Sequence, residues 1–217
     1  MLYSSTAPSP GIEREISTSA LSLINAVRRG IRPRDVVNHR SIRNAMAVVM
    51  AFGGSTNAVL HYLAIAAAAR SALSLNDVEL IRRRVPVICH MKPSGLHSTP
   101  TSMQQRRSSC YARASARGPH RLVVPNENGR TIGALLQSAD RMCHGSTVVL
   151  PTHMALYRTG RLVVLRGNMS RDGAVAKTSG LSILLHSGTA RVFRCEEACV
   201  QAILNGCVRI GDVVVLM

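Results

Sequence analysis

Five consecutive residues, Gly53-Gly54-Ser55-Thr56-Asn57, hold the most distinctive chemical potential in the chain. Two glycines followed by Ser, Thr and Asn at a helix start present free backbone N–H groups. Such an N-terminus, with its dipole, accepts an anion such as a carboxylate or a phosphate. The run also reads as a capped helix whose glycines permit close packing. Ser55, Thr56 and Asn57 are the candidate substrate- or anion-binding residues. His61 follows one or two turns in, where apolar neighbours make it an interior residue rather than a catalyst.

Other constellations carry less. Cys195 and Cys199 are one helical turn apart, with Cys207 beyond them. Thiolate ligands for iron or zinc need at least three convergent groups. These sit in an amphipathic helix and a turn, so they read as small hydrophobes. Glu196-Glu197 reads as first-turn compensation of the helix dipole rather than as paired catalytic carboxylates. Cys89 and His90 adjoin a strand, where neighbours point to opposite faces and form no nucleophilic dyad. No catalytic and no metal-ligating residue is assigned.

The elements that position these residues follow from periodicity. Ile16 to Arg29 places Leu21, Leu23, Ile24 and Val27 on one side of a helix, with Gly30 as C-cap. Residues 31–35 are a connector, because Pro33 disfavours helix at Arg32. A second helix runs from about Ser41 to Ala51 and stops at the glycines. A third, capped by Ser55 or Thr56, turns Val59, Leu60, Leu63 and Ile65 inward and continues to Arg70. A fourth opens at Leu75-Asn76-Asp77 and ends on Arg82-Arg83-Arg84, both placements suiting the dipole. Pro86-Val87-Ile88 is a short buried strand.

Beyond it, order resumes at Arg121 to Val124, followed by a helix from Thr131 to Arg141. Short strands then follow at Leu162–Leu165, Ala174–Ala176, Ala190–Phe193 and Val213–Leu216. One helix, Glu196–Leu204, lies between the last two, with Gly206 past its end. The first half is helix-rich and the last third strand-rich.

Composition narrows the function classes. The 217 residues include 27 basic and 11 acidic, for a formal net charge of +16, and 46% are hydrophobic. That apolar fraction excludes a disordered tail. The charge invites a nucleic-acid reading. Yet all the basic residues except Lys92 and Lys177 are Arg, and aromatics that would stack bases are only 3%. The excess concentrates between Leu80 and Asn126, which holds nine basic residues and no acidic one. Six cysteines without a C-x-x-C pair do not make a disulfide scaffold or a zinc ribbon. The first residues have no secretory pattern. Glycines and His61 interrupt the longest apolar tract, so no membrane span is expected. A cytoplasmic, reducing compartment follows.

The ordered runs resemble one family. Arg32-Pro33-Arg34-Asp35, Asn44 to His61 (NAMAVVMAFGGSTNAVLH) and Lys92-Pro93-Ser94-Gly95 after Val85-Pro86 are similar to the dihydroxy-acid dehydratases. So are Gly129-Arg130-Thr131-Ile132, Leu165-Arg166-Gly167-Asn168, Gly173 to Lys177, Ala190 to Phe193 with Glu196-Glu197, and Gly211 to Val215. The likeness covers residues 16–95 and 129–217. The family includes phosphogluconate and sugar-acid dehydratases. It implies elimination of water from a 2,3-dihydroxy acid to give a 2-keto acid, in branched-chain amino-acid synthesis for the family's namesake. It also implies an iron–sulfur cluster acting as Lewis acid, a magnesium ion on the substrate carboxylate side, and homo-oligomers.

The departures from the family are equally informative. Its cluster cysteines and Cys-Asp-Lys run belong upstream of residue 16, and its Thr-Asp-Gly-Arg run with the serine base downstream of Met217. Neither run occurs here. His90 stands where relatives commonly carry Asp. Leu96 to Pro119 is aperiodic and rich in Arg, Ser, Ala and Pro; it reads as a compensated frameshift, or else as a genuine basic insertion loop.

The expected fold is α/β: residues 1–145 the helix-rich end of an N-terminal α/β domain, with an aberrant basic segment at 96–120, and 146–217 the start of a β-barrel-like domain. The expected protein is a partial dehydratase, inactive alone and holding neither cluster nor Mg2+ by itself. Its partner is a small hydroxy acid, with no membrane and no nucleic acid. The rivals are a basic nucleic-acid-binding protein and an oligomerising remnant that pairs with an intact dehydratase subunit.

Overall fold

The computed structural model describes residues 12–92, 95–97 and 147–217, with side chains from Ile16 onward. The basic segment and the elements expected over 121–141 lie outside the described residues. The described chain is mixed α/β, helix-rich first and strand-rich after. It divides into two compact units, one up to Gly180 and one from Leu181 to Met217.

The first unit opens with helix α1, Ile12–Arg28. Gly30, at φ 65°, closes it: its N–H donates to the Val27 carbonyl and that of Ile31 to the Ala26 carbonyl, the paired bonds of a Schellman ending. Ala26 is buried, whereas Leu21, Leu23, Ile24 and Val27 are exposed. The expected connector contains a short helix, α2, Pro33–Val36. Pro33 is responsible: its fixed φ suits a first helical turn, while it holds Arg32 extended just outside.

Helix α3, His39–Ala51, starts earlier than the apolar period suggests, because the Asn38 side chain accepts from the N–H groups of Arg40 and Ser41. Its Ile42, Met46, Val49 and Met50 face the core at helical spacing. Helix α4, Thr56–Ala68, packs on α3, and so does α5, Leu75–Arg84. In α4 the buried positions are Ala58, Val59 and Ala66, with Tyr62 and Leu63 half-buried. Leu60 and Ile65, expected inward, are exposed, and so is His61. The helix is apolar nearly all round, so its pattern selects no face.

Val85 to Cys89 are fully buried. They form isolated bridges rather than a ladder, Val87 pairing with Tyr157 and Cys89 with Val149. Strands β1, Leu162–Gly167, and β2, Ser170–Lys177, make an antiparallel hairpin with Leu162 opposite Lys177 and a register shift after Leu165. Leu162 enters the core beside Met46, Met50, Val59, Ile81 and Ile88.

The second unit is a strand–helix–strand arrangement. Strand β3, Ala190–Phe193, pairs in parallel with β4, Val213–Leu216, and helix α6, Glu196–Leu204, connects them. A parallel pair needs such a crossover. Both sheets of the described chain are two-stranded and open, so these strands close no barrel.

Candidate functional site

The Gly53–Asn57 run joins α3 to α4. Gly54 N–H donates to the Val49 carbonyl at 2.9 Å and Gly53 N–H to the Met50 carbonyl at 3.0 Å. This ending requires positive φ, and the two glycines supply 102° and 89°. Gly54 also lies hard against β1. A Cβ there would sit 2.4 Å from Leu162 Cγ. The close-packing role foreseen for the glycines is therefore present.

Ser55 occupies the N-cap of α4 with extended backbone, φ −144° and ψ 125°, but its side chain makes no capping hydrogen bond. Thr56 is the first helical residue. The side-chain cap expected from Ser55 or Thr56 is thus replaced by backbone geometry imposed by the glycine turn. Ser55 and Thr56 are half-buried and Asn57 is exposed. Chemically, the first turn of α4 offers N–H groups that no capping hydroxyl claims, at the positive end of a 13-residue helix. His61, on the exposed face further along, is not an interior residue.

Two ion-pair groups involve α5 in the same unit. Arg43 on α3 reaches Asp77 on α5 at 2.7 Å, both side chains largely buried. Asp77 also receives the Ser74 hydroxyl at 2.7 Å and the Ser74 N–H at 3.0 Å, closing a capping box at the start of α5. Burial opposes ionisation of Asp77, but the Ser74 hydrogen bonds and Arg43 outweigh it and lower its pKa.

Glu79 takes a fork from Arg82, Nε and Nη2 each at 2.7 Å, plus Arg83 Nε at 2.8 Å. Arg82 chiefly, against some desolvation, pulls its carboxyl down to about 2. The Gly160 N–H in turn donates to the Arg82 carbonyl at 2.8 Å, anchoring the approach to β1. Periodicity identified the helices but not the links from Arg43 to Asp77 and from Gly160 to Arg82, since both join residues far apart in sequence. The Ser-x-x-Asp spacing of Ser74 and Asp77 and the three- and four-residue spacings of Glu79 to Arg82 and Arg83 are the local signals for the rest.

The described residues do not fit an iron–sulfur cluster or a divalent cation. No group of three or more His, Cys, Asp or Glu converges among them. Cys89 is in the core and Cys199 is the buried residue of α6, whereas Cys195 and Cys207, expected as small hydrophobes, are exposed. Asp35, Asp77, Glu79 and Asp212 are each paired with arginine. Glu196 and Glu197 sit in the first turn of α6, where backbone N–H and Cys195 lower the Glu197 pKa. Cys89 is fully buried while His90 is half-buried and meets His97 edge-on at 5.4 Å, so the two side chains part as a strand requires. No helix among the described residues is long and apolar enough to cross a membrane.

Comparison with known proteins is consistent along the whole chain. Residues 2–104 match the family model for the N-terminal region of dihydroxy-acid/6-phosphogluconate dehydratases, and residues 147–217 match that for the C-terminal region. The dihydroxy-acid dehydratase of Tremblaya princeps is 77% identical over 227 aligned residues, covering all of this chain and 40% of the relative. That of Ralstonia nicotianae is 43% identical over 225, again all of this chain and 40% of the relative. That of a Synechococcus strain is 43% identical over 226, covering 99% of this chain. The chain thus spans about 40% of the length of the curated relatives it matches. With two regional models matched in order and this level of identity throughout, the chain belongs to the dihydroxy-acid/6-phosphogluconate dehydratase family.

Proposed function

We propose that this chain contributes the central part of a hydro-lyase that dehydrates a 2,3-dihydroxy acid to a 2-keto acid. The observation that carries this reading is the pair of regional family models matched in chain order, at 2–104 and 147–217. In such a reaction a base removes the proton beside the carboxylate, the neighbouring hydroxyl leaves, and the enol tautomerises to the ketone.

Within this reading the part for the chain's own residues is positioning. The first turn of α4, at Ser55, Thr56 and Asn57, holds a carboxylate or phosphate oxygen by backbone N–H groups and the helix dipole. The cluster and Mg2+ implied by the family would be held by residues outside the described set, and no step is routed through them. The domain arrangement, 1–145 followed by 146–217, the cytoplasmic location and homo-oligomeric assembly belong to the same proposal. The high relatedness to biosynthetic dehydratases favours a small hydroxy acid over nucleic acid as partner.

The purified chain, incubated with a 2,3-dihydroxy acid, iron, sulfide and Mg2+, should form no 2-keto acid detectable as a hydrazone. It should bind the hydroxy acid weakly, with Gly54→Val abolishing that binding and His61→Gln leaving it. Turnover by the chain alone would overturn the central-part reading. Loss of binding in His61→Gln with retention in Gly54→Val would overturn the helix-terminus site.

A further inference from the structure

Two histidines are brought together where the buried residues 85–89 leave the core. His90 and His97 are both half-buried, with ring centres 5.4 Å apart and ring planes at 83°. The backbone holds both residues. His90 N–H donates to the Val148 carbonyl at 2.8 Å, and the His90 carbonyl accepts from His97 N–H at 3.1 Å. The His97 carbonyl in turn accepts from Lys92 N–H at 2.8 Å. Gly95 closes on one edge of the His90 ring, where a Cβ would sit 2.5 Å from His90 Cδ2. Neither imidazole makes a hydrogen bond among the described residues, and none of their nitrogens is sealed from water. Two unengaged nitrogen donors thus lie side by side on a fixed backbone.

We propose that His90 and His97 chelate a transition-metal ion of the nitrogen-seeking class, such as nickel(II) or copper(II), between their imidazoles. Neutral imidazole is a side-chain ligand that such ions favour, whereas magnesium favours oxygen. An ion about 2.0–2.1 Å from two imidazole nitrogens, at an angle of about 90–110°, sets the ring centres about 4.5–5.3 Å apart. The observed separation meets the upper end of that span, so side-chain torsions bring the nitrogens to bear without moving the backbone. Donors already held in place cost less ordering on binding. No third His, Cys, Asp or Glu joins them among the described residues, so water fills the remaining positions. The pair is therefore a two-point chelate for an exchangeable ion, different in kind from a resident cluster or magnesium site. Cys89 takes no part, being fully buried in the core. The site does not depend on the dehydratase reading.

The test titrates the full chain with nickel(II) alone, in a buffer that does not chelate it, and follows the imidazole Hε1 resonances. The two signals are assigned by their loss in His90→Asn and His97→Gln and by the cross-peak between the rings. Nickel(II) broadens nearby protons and leaves exposed thiols unoxidised. His90 and His97 should broaden together at substoichiometric metal, ahead of the exposed His61 and His153. Each variant, checked for an unchanged thermal transition, should bind at least about ten-fold more weakly, because one ligand remains of two. Broadening of His90 and His97 only in step with the other histidines, or after them, is single-imidazole binding and overturns the proposal. That order is read in the unaltered chain, so it decides even where a variant does not fold. Equal affinity in folded His97→Gln overturns the proposal as well.

Discussion

Gly54 and Leu162 are locked together: a methyl group on Gly54 would overlap the Leu162 side chain, with Cβ and Cγ only 2.4 Å apart. The turn that starts α4 is therefore seated directly on the first strand of the hairpin, over a residue that is 0% exposed. Local backbone chemistry and long-range packing both demand glycine at this one position.

Gly54→Ala should be severely destabilising, by roughly 2–4 kcal/mol, because left-handed backbone strain of about 1–2 kcal/mol adds to overpacking. Leu162→Ala creates room, at its own cavity cost. In urea denaturation the double variant should be more stable than the sum of the singles by more than about 0.5 kcal/mol. Additive losses would show that the two residues do not share the space.

The start of α4 and the start of α5 differ in how they are capped. Ser74 caps through its hydroxyl, whereas Ser55 does not. Ser74→Ala should cost about 1 kcal/mol and Ser55→Ala less than about 0.5 kcal/mol. Equal losses in thermal unfolding would refute the distinction.

Arg70 ends α4 with φ 55°, the one described non-glycine residue at positive φ. Its N–H and that of Ser71 make the same paired bonds, to Ala67 and Ala66, that Gly30 and Gly206 serve at other helix ends. Arg70→Gly should relieve the left-handed strain and raise stability by about 0.5–1 kcal/mol. A lower melting temperature for this variant would contradict the conformational assignment.

Acid sensitivity should trace to Glu79. Its carboxyl, ordinarily at 4.5, lies at about 2, chiefly through the Arg82 fork. A depressed carboxylate contributes stability that is fully present above 4.5 and is lost as pH falls through about 2. Glu79→Gln should cost about 1–2 kcal/mol at neutral pH, allowing for solvent screening, and should flatten the stability–pH slope below 4.5. An unchanged slope in chemical denaturation at pH 3 to 5 would remove Glu79 from the account.

Iron reconstitution separates ligating from structural cysteines. With Cys89 and Cys199 buried and Cys195 and Cys207 without a third ligand among the described residues, iron and sulfide should yield no stoichiometric visible-absorbing cluster. A cluster that disappears in the Cys195→Ser, Cys199→Ser double variant would reverse that assignment.

The order of helices then strands, the stop at Gly53-Gly54, the ends at Gly30 and Gly206, and the first-turn acids of α6 could all be read from the chain. Each rests on interactions within four or five residues, which the local sequence contains in full. The family likeness was legible for a related reason, since its runs keep residue types and spacing through the described α3–α4 junction and both pairs of strands.

Other features only the tertiary structure decided. The inward face of α4 depends on which neighbours cover it, and an apolar run such as Val59 to Ala69 carries no periodic contrast to select one. Ser55 holds the N-cap without using its hydroxyl, because the glycine turn and Leu162 already set its backbone. Arg43 with Asp77, Gly54 with Leu162 and Arg161 with Thr178 join positions distant along the chain. Such pairings come from the folding back of separate elements onto one core, and no local window of sequence contains both partners.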